Sequence, residues 1–178
     1  MLKGKLVGLT AVEREDLPFL RDWRNNSDFR KHFREYRELN MANQEKWFEQ
    51  KVHNDPTTMM FSIRDLTTKE LLGCCGFVYI NWVHRHADIS LYIGWKDAYI
   101  DDHGYAEDSC KVLFKYGFDE LNLNKIWTEI YSFDEKKKAL YDKLGFKQDG
   151  LLRENYFYDG KWWDSRILSL LGKEYKKT

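Results

Sequence analysis

The sequence predicts a mixed α/β domain, helices packed on a mostly antiparallel twisted sheet. Three observations carry this. Alternating segments such as Leu91 to Trp95 are interleaved with segments of helical period, among them Ala106, Cys110, Leu113, Phe114, Gly117, Phe118 and Leu121. The dipeptide Asp159-Gly160, favoured where a two-residue hairpin turn needs positive φ, separates two long strand-like runs. No linker, low-complexity block or proline-rich stretch divides the 178 residues, a length that buries one core, so residues 1-178 read as a single domain.

In chain order, Leu6 to Leu9 reads as a short strand. Glu13 to Asn25 reads as a helix with Leu17, Leu20 and Trp23 on its inner face and Pro18 tolerated in the first turn. The polar stretch Asn26 to Asn40, holding Arg30, Lys31, His32, Arg34 and Arg37, has no period that decides between helix and ordered loop. Asn43 is placed to cap a helix through His53 with Trp47, Phe48 and Val52 inward. Met59 to Ile63, Leu71 to Trp82 and His86 to Trp95 form an antiparallel meander. Gly104 heads the next helix and Ile126 to Tyr131 is a strand. Asp134 then caps a helix whose inner face is Leu140, Tyr141 and Leu144 and which Gly145 closes. Lys147 to Tyr158 and Trp162 to Leu171 make the last hairpin.

Lysine plus arginine equals aspartate plus glutamate at 29 each, so no global field favours nucleic acid or a membrane as partner. Cys74, Cys75 and Cys110 leave an odd thiol and no C-x-x-C spacing, which suits a reducing, cytoplasmic setting. No apolar run approaches the roughly 20 residues that span a bilayer. His84 and His86 share a strand face but lack a third ligand, so no metal is expected. Aromatics reach 16%, more than a core alone requires, and some are expected to line a ligand groove.

Gly104-Tyr105-Ala106-Glu107, Tyr116-Gly117-Phe118, Leu121-Asn122-Leu123-Asn124-Lys125 and Leu140-Tyr141-Asp142-Lys143-Leu144-Gly145-Phe146, in that order and spacing, resemble the GNAT superfamily of N-acetyltransferases. Within it the likeness is to the branch of ribosomal-protein (RimJ/RimL-like) and spermidine acetyltransferases. The likeness extends upstream to Leu20-Arg21-Asp22-Trp23-Arg24-Asn25 and downstream to Asp159-Gly160-Lys161. It implies a sheet of about seven strands with one splayed pair, acetyl-CoA as co-substrate, and acetyl transfer to a primary amine. A small amine or amino sugar is favoured as acceptor. Ribosomal-protein or other protein N-terminal acetylation, and a non-catalytic binding domain of the same fold, stand as alternatives. A homodimer is left open.

The resemblance places the pantetheine arm against the backbone of Leu91, Tyr92 and Ile93. It places the diphosphate at Asp102, His103, Gly104, Tyr105 and Ala106, where a helix start offers amides without intrahelical partners. Asp101 and Asp102 stand where the family usually has other residues and are compatible with a diphosphate only if they point outward. Asp134 stands where Asn is usual, and Lys137 where Ala is usual. Lys137 is a candidate for the 3'-phosphate, against the plainer reading of Lys136 to Lys138 as a solvated helix face. Tyr141 matches a tyrosine set near the sulfur, giving a general acid or donor. Deprotonating the amine requires a base. Asp88 and Glu129 are the candidates, each also readable as an ordinary strand carboxylate. For the acceptor, Trp23, Arg24, Trp47, Trp82, Tyr156, Trp162 and Trp163 are available as wall residues and Glu154 and Asp164 as carboxylates; Arg24, Arg30 and Arg34 are a competing set suited to phosphates.

Overall fold

The computed structural model describes residues 1–175; residues 176–178, the end of the expected domain, lie outside the described residues. Eight strands form one sheet: β1 (Leu2–Lys3), β2 (Val7–Ala11), β3 (Met59–Asp65), β4 (Leu71–Asn81), β5 (His86–Ile93), β6 (Lys125–Tyr131), β7 (Lys147–Tyr158) and β8 (Lys161–Leu171). Their spatial order is β1-β2-β3-β4-β5-β6-β8-β7. Every neighbouring pair is antiparallel except β5 and β6, which run parallel. The helices are α1 (Leu17–Asn25), α2 (Ser27–Arg30), α3 (Met41–Trp47), α4 (Tyr105–Lys115) and α5 (Glu135–Lys143). A parallel pair cannot be joined by a tight turn, and α4 is the crossover that carries the chain from β5 to β6.

Several boundaries differ from the periodicity reading, each for a local reason. The eighth strand is the two-residue β1, which pairs Leu2 with Leu9. Arg14–Asp16 form a separate 3₁₀ turn, so α1 begins at Leu17 with Pro18 in its first turn. Asn40, not Asn43, caps α3: its side chain accepts from the Asn43 amide, and Asn43 returns a bond to the Asn40 amide. The tail of that predicted helix, Phe48–His53, is wound as a π-helical turn. β5 stops at Ile93, two residues short of Trp95. A Cβ on Gly94 would come within 1.9 Å of the Trp23 ring, so the strand end and α1 are in direct contact there. Asp159 (φ 51°) and Gly160 (φ 75°) make the expected hairpin turn.

The core sits where the central strands meet α1 and α4: Phe77, Leu91, Ile93, Leu17, Leu20 and Leu113 have essentially no exposed surface. One buried charge ties α4 to the N-terminus. The Asp108 carboxylate accepts hydrogen bonds from the amides of Lys5 (3.2 Å), Leu6 (2.7 Å) and Val7 (3.0 Å), donors that no sheet partner takes at this bend. Replacing Asp108 with alanine is expected to cost about 2–3 kcal/mol, read as a fall in the denaturant midpoint at unchanged slope.

The β5–β6 seam is short. Only His86 with Lys125, Ala87 with Ile126 and Asp88 with Trp127 are in register; beyond Asp88 the strands part. This is the splayed pair the resemblance implies.

Candidate active site

The fork leaves a bounded stretch of strand edge. Along a strand, each residue points its N–H and C=O to one edge and the next residue to the other. The Ile89 carbonyl accepts from Thr128 Oγ1 (3.4 Å) across the fork, and the Ile93 amide donates to the Tyr99 carbonyl (3.0 Å). Leu91 lies midway between them, so its N–H and C=O face the gap while Tyr92 faces β4, opposite Cys74. Of the three backbones expected to meet a pantetheine arm, Leu91 alone offers its edge: Tyr92 faces the wrong way and the amide of Ile93 is already bonded.

At the apex of the fork opens a cleft of about 410 Å³. Asp88, the last residue of the seam, points its carboxylate into it. Burial pushes this carboxyl up to about 6, although the guanidinium of Arg34, 2.7 Å away, opposes the shift. The reading of Asp88 as a solvent-facing carboxylate does not hold, because the residue is 2% exposed. Glu129 also lines the cleft, bonded to Asn155 Nδ2 (2.9 Å) and 3.4 Å from Arg34 Nε.

A second cluster adjoins the first. Asp134 caps α5 through the Lys137 amide (3.1 Å), accepts from Tyr99 Oη (3.2 Å) and lies 3.1 Å from His32 Nδ1. Burial works against its charge, but His32 and Lys137 hold the carboxyl below its ordinary range. His32 stacks on Tyr99 with ring centroids 4.2 Å apart. Lys137 is the main surprise. It stands in the cleft at 9% exposure, its ammonium 5.1 Å from the Tyr99 ring centre, and burial lowers its pKa. The solvated-face reading fits Lys138, which pairs with Asp142, but not Lys137. On α5 the inward stripe passes through Lys137 and Tyr141, four residues apart.

Tyr141 is fully buried, and among the described residues its hydroxyl makes no well-formed hydrogen bond, the Thr128 side chain being the polar neighbour that acts on it. Burial raises its pKa well above the ordinary phenol value, with Cys110, Asp88 and Asp134 adding to the effect. Buried hydroxyls are normally bonded, so a phenol whose one polar neighbour is Thr128 retains capacity to donate.

The helix start is different. Asp101 does not point outward. Its carboxylate accepts from the amides of His103 (2.8 Å), Tyr105 (2.9 Å) and Ala106 (2.8 Å). Gly104 takes the left-handed φ of 95° that lets these amides converge. Three of the five amides expected to meet a diphosphate are therefore occupied by the chain's own carboxylate. Asp102 is exposed, His103 packs edge-on to Trp95, and Tyr105 turns its hydroxyl to Asp65 (3.1 Å).

Of the expected acceptor residues, Arg24 and Trp47 line the cleft. Trp23 packs over Gly94, and Trp82 bonds the Pro56 carbonyl from an exposed corner. Trp162 stacks near Phe157 beside the hairpin turn, and Glu154 is exposed at a β-bulge of β7. None of these four lines the cleft. Lys51 and Tyr131, not expected there, line it as well. His32, Tyr99 and Thr128 were not singled out in the sequence; no local spacing marks them, because their partners are distant along the chain.

Residues 7–147 match the family model described as the acetyltransferase (GNAT) domain. The chain is 28% identical over 167 residues to the spermidine N(1)-acetyltransferase of Vibrio cholerae, covering 94% of each chain. It is 27% identical over 169 residues to that of Escherichia coli K12, covering 95% of this chain and 88% of the relative. The crystal structure of the Vibrio cholerae spermidine N-acetyltransferase in complex with CoA and spermine superposes with a TM-score of 0.86 at 27% identity, covering 95% and 97% of the two chains. The chain thus belongs to the acetyltransferase (GNAT) domain family and is an N-acetyltransferase with acetyl-CoA as its co-substrate.

Proposed function

We propose that the protein acetylates the primary amine of a small molecule, by direct attack while both substrates are bound. The observation that carries this reading is the placement of a buried carboxylate, Asp88, at the apex of the β5–β6 fork, with the buried phenol of Tyr141 close enough to interact with it. Leu91 offers its backbone edge to the pantetheine amides, and the hydroxyl of Tyr141 is a donor suited to a sulfur; in this respect the residues present fit the carrier. Bound acetyl-CoA supplies the acetyl group as a thioester.

Two protons must leave the ammonium nitrogen as its bond to the acetyl carbon forms and the carbon–sulfur bond breaks. Asp88 takes the first, freeing the lone pair; a carboxyl near 6 is ionised at neutral pH yet more basic than an ordinary aspartate. The second proton passes from nitrogen to the departing sulfur, which Tyr141 meets with its O–H. A buried phenol with a raised pKa stays neutral, so Tyr141 acts as a hydrogen-bond donor rather than giving up its proton. No cysteine serves as an acyl carrier: Cys74, Cys75 and Cys110 are buried, and burial raises the pKa of each thiol. Confinement of the base to a cleft of this size favours a small acceptor over a protein N-terminus. We place the protein in the cytoplasm on the strength of its three unpaired thiols.

Calorimetry with CoA, followed by thiol-release assays with small amines, tests this reading; no binding at millimolar CoA refutes it. Diphosphate binding at the α4 start requires Asp101 to release three amides. Asp101→Ala is accordingly expected to tighten CoA binding by roughly tenfold, about 1.4 kcal/mol, while lowering the stability of the free protein. An unchanged or weakened affinity would show that the diphosphate does not use those amides.

A further inference from the structure

The charges in the cleft are unevenly satisfied, and this bears on the acceptor. Three carboxylates line it, and each already has a cation: Asp88 lies 2.7 Å from Arg34, Glu129 lies 3.4 Å from the same arginine, and Glu35 lies 2.7 Å from Arg37. Of the four lysines and arginines lining it, Arg34 is spent on those carboxylates and Lys51 on Asp55 (2.9 Å). Arg30, which the sequence grouped with Arg24 and Arg34, is bound to Glu38. Arg24 and Lys137 remain. Among the described residues neither forms a close ion pair; Lys137 is offset at longer range by Asp134 and Asp88, and Arg24 by Glu35, which already holds Arg37. Arg24, from α1, instead lays its guanidinium 4.7 Å from the centre of the Phe33 ring, which holds the group open to the cleft.

We infer that the acceptor is an amine that also bears an anionic group, a phosphate or a carboxylate, and that Arg24 is the residue that holds that group. The inference rests on the acetyltransferase reading and narrows its substrate class. A planar guanidinium with free N–H groups matches either oxyanion in a two-point geometry. A polyamine is disfavoured by the same arrangement. Beyond the ammonium that meets Asp88, each further one would need a carboxylate of its own, and Glu129 and Glu35 would first have to be taken from an arginine. The Vibrio cholerae and Escherichia coli relatives carry spermidine in their names; this cleft points to a different acceptor on the same scaffold.

The test measures kcat/KM by thiol release with saturating acetyl-CoA for matched amines. The pairs are ethanolamine against phosphoethanolamine, glucosamine against glucosamine 6-phosphate, and propylamine against β-alanine, with spermidine alongside. The expected result is at least a tenfold preference for the anion-bearing member of a phosphate pair or of the carboxylate pair, which also identifies the oxyanion. In Arg24→Gln that preference falls below threefold, while CoA binding by calorimetry persists and shows that the variant is folded. Titration of phosphoethanolamine, glucosamine 6-phosphate and β-alanine into the CoA complex gives a second readout, independent of turnover. The inference is overturned if spermidine has the highest kcat/KM, if the preference survives in Arg24→Gln, or if none of the three anionic amines binds the CoA complex. Failure to bind CoA at all is a separate outcome and removes the acetyltransferase reading with it.

Discussion

Asp88→Asn is expected to lower kcat/KM by roughly 10²- to 10⁴-fold, the range that loss of a positioned general base produces. The pH profile carries the sharper information. A base must be ionised to accept a proton, and the Asp88 carboxyl is raised from 3.8 to about 6. Wild-type kcat/KM should therefore hold its level above about pH 6 and fall tenfold per unit below it, and the residual rate of Asp88→Asn should lack that limb. Stability follows the opposite sense. A carboxyl that binds its proton more tightly when folded favours folding below pH 3.8, and that benefit is lost as pH rises through about 6. Asparagine removes this pH dependence, so activity and stability part company in one variant. An acidic limb that persists in Asp88→Asn would move the base role to Glu129.

Tyr141→Phe is the second large effect, and it separates two roles of one hydroxyl. As a donor to the departing sulfur, the phenol should be worth roughly 10²-fold in kcat, the loss seen when a single preorganised donor is removed. As a buried hydroxyl with no well-formed hydrogen bond among the described residues, it should be a burden to the fold. Phenylalanine keeps the ring and its packing against Phe146, 4.9 Å away. The free protein should then unfold at the same temperature or higher, gaining about 1 kcal/mol from a desolvation cost no longer incurred. A variant with full turnover would refute the donor role. A variant that loses stability would show that the hydroxyl is satisfied after all.

How much of this could be read from the chain depended on whether the deciding interaction was local. The Asp159-Gly160 turn was legible because two adjacent residues determine it. The cap of α3 was misplaced by three residues. Asn40 and Asn43 carry the same side chain at the two reciprocal positions of one motif, and only the backbone conformation of Asn40 tells cap from partner. The fork itself was accessible only through family resemblance, since neither β5 nor β6 encodes where its neighbour departs. Lys137 was misjudged because a run of three lysines ordinarily faces water; its burial follows from helix phase combined with the arrival of Asp88 and Tyr99 from elsewhere. Arg34 meets Glu129 across 95 positions of sequence, and no spacing rule reaches that far. The direction of Asp101 was left open by the sequence and is decided locally: the first-turn amides of α4 are a stronger partner for a carboxylate than solvent is.

The three-pair seam between β5 and β6 has a consequence for which molecules can approach the protein. An unpaired strand border is normally a hazard, since any stray polypeptide can zip onto it, and proteins spend charges, prolines and bulges to blunt such borders at their rims. Here the bare border lies in the middle of the sheet, walled by β6 on one side and closed at its far end by the Tyr99 carbonyl. A strand from another protein can reach it only past β6, so this border is screened by its place inside the sheet and not by blunting residues.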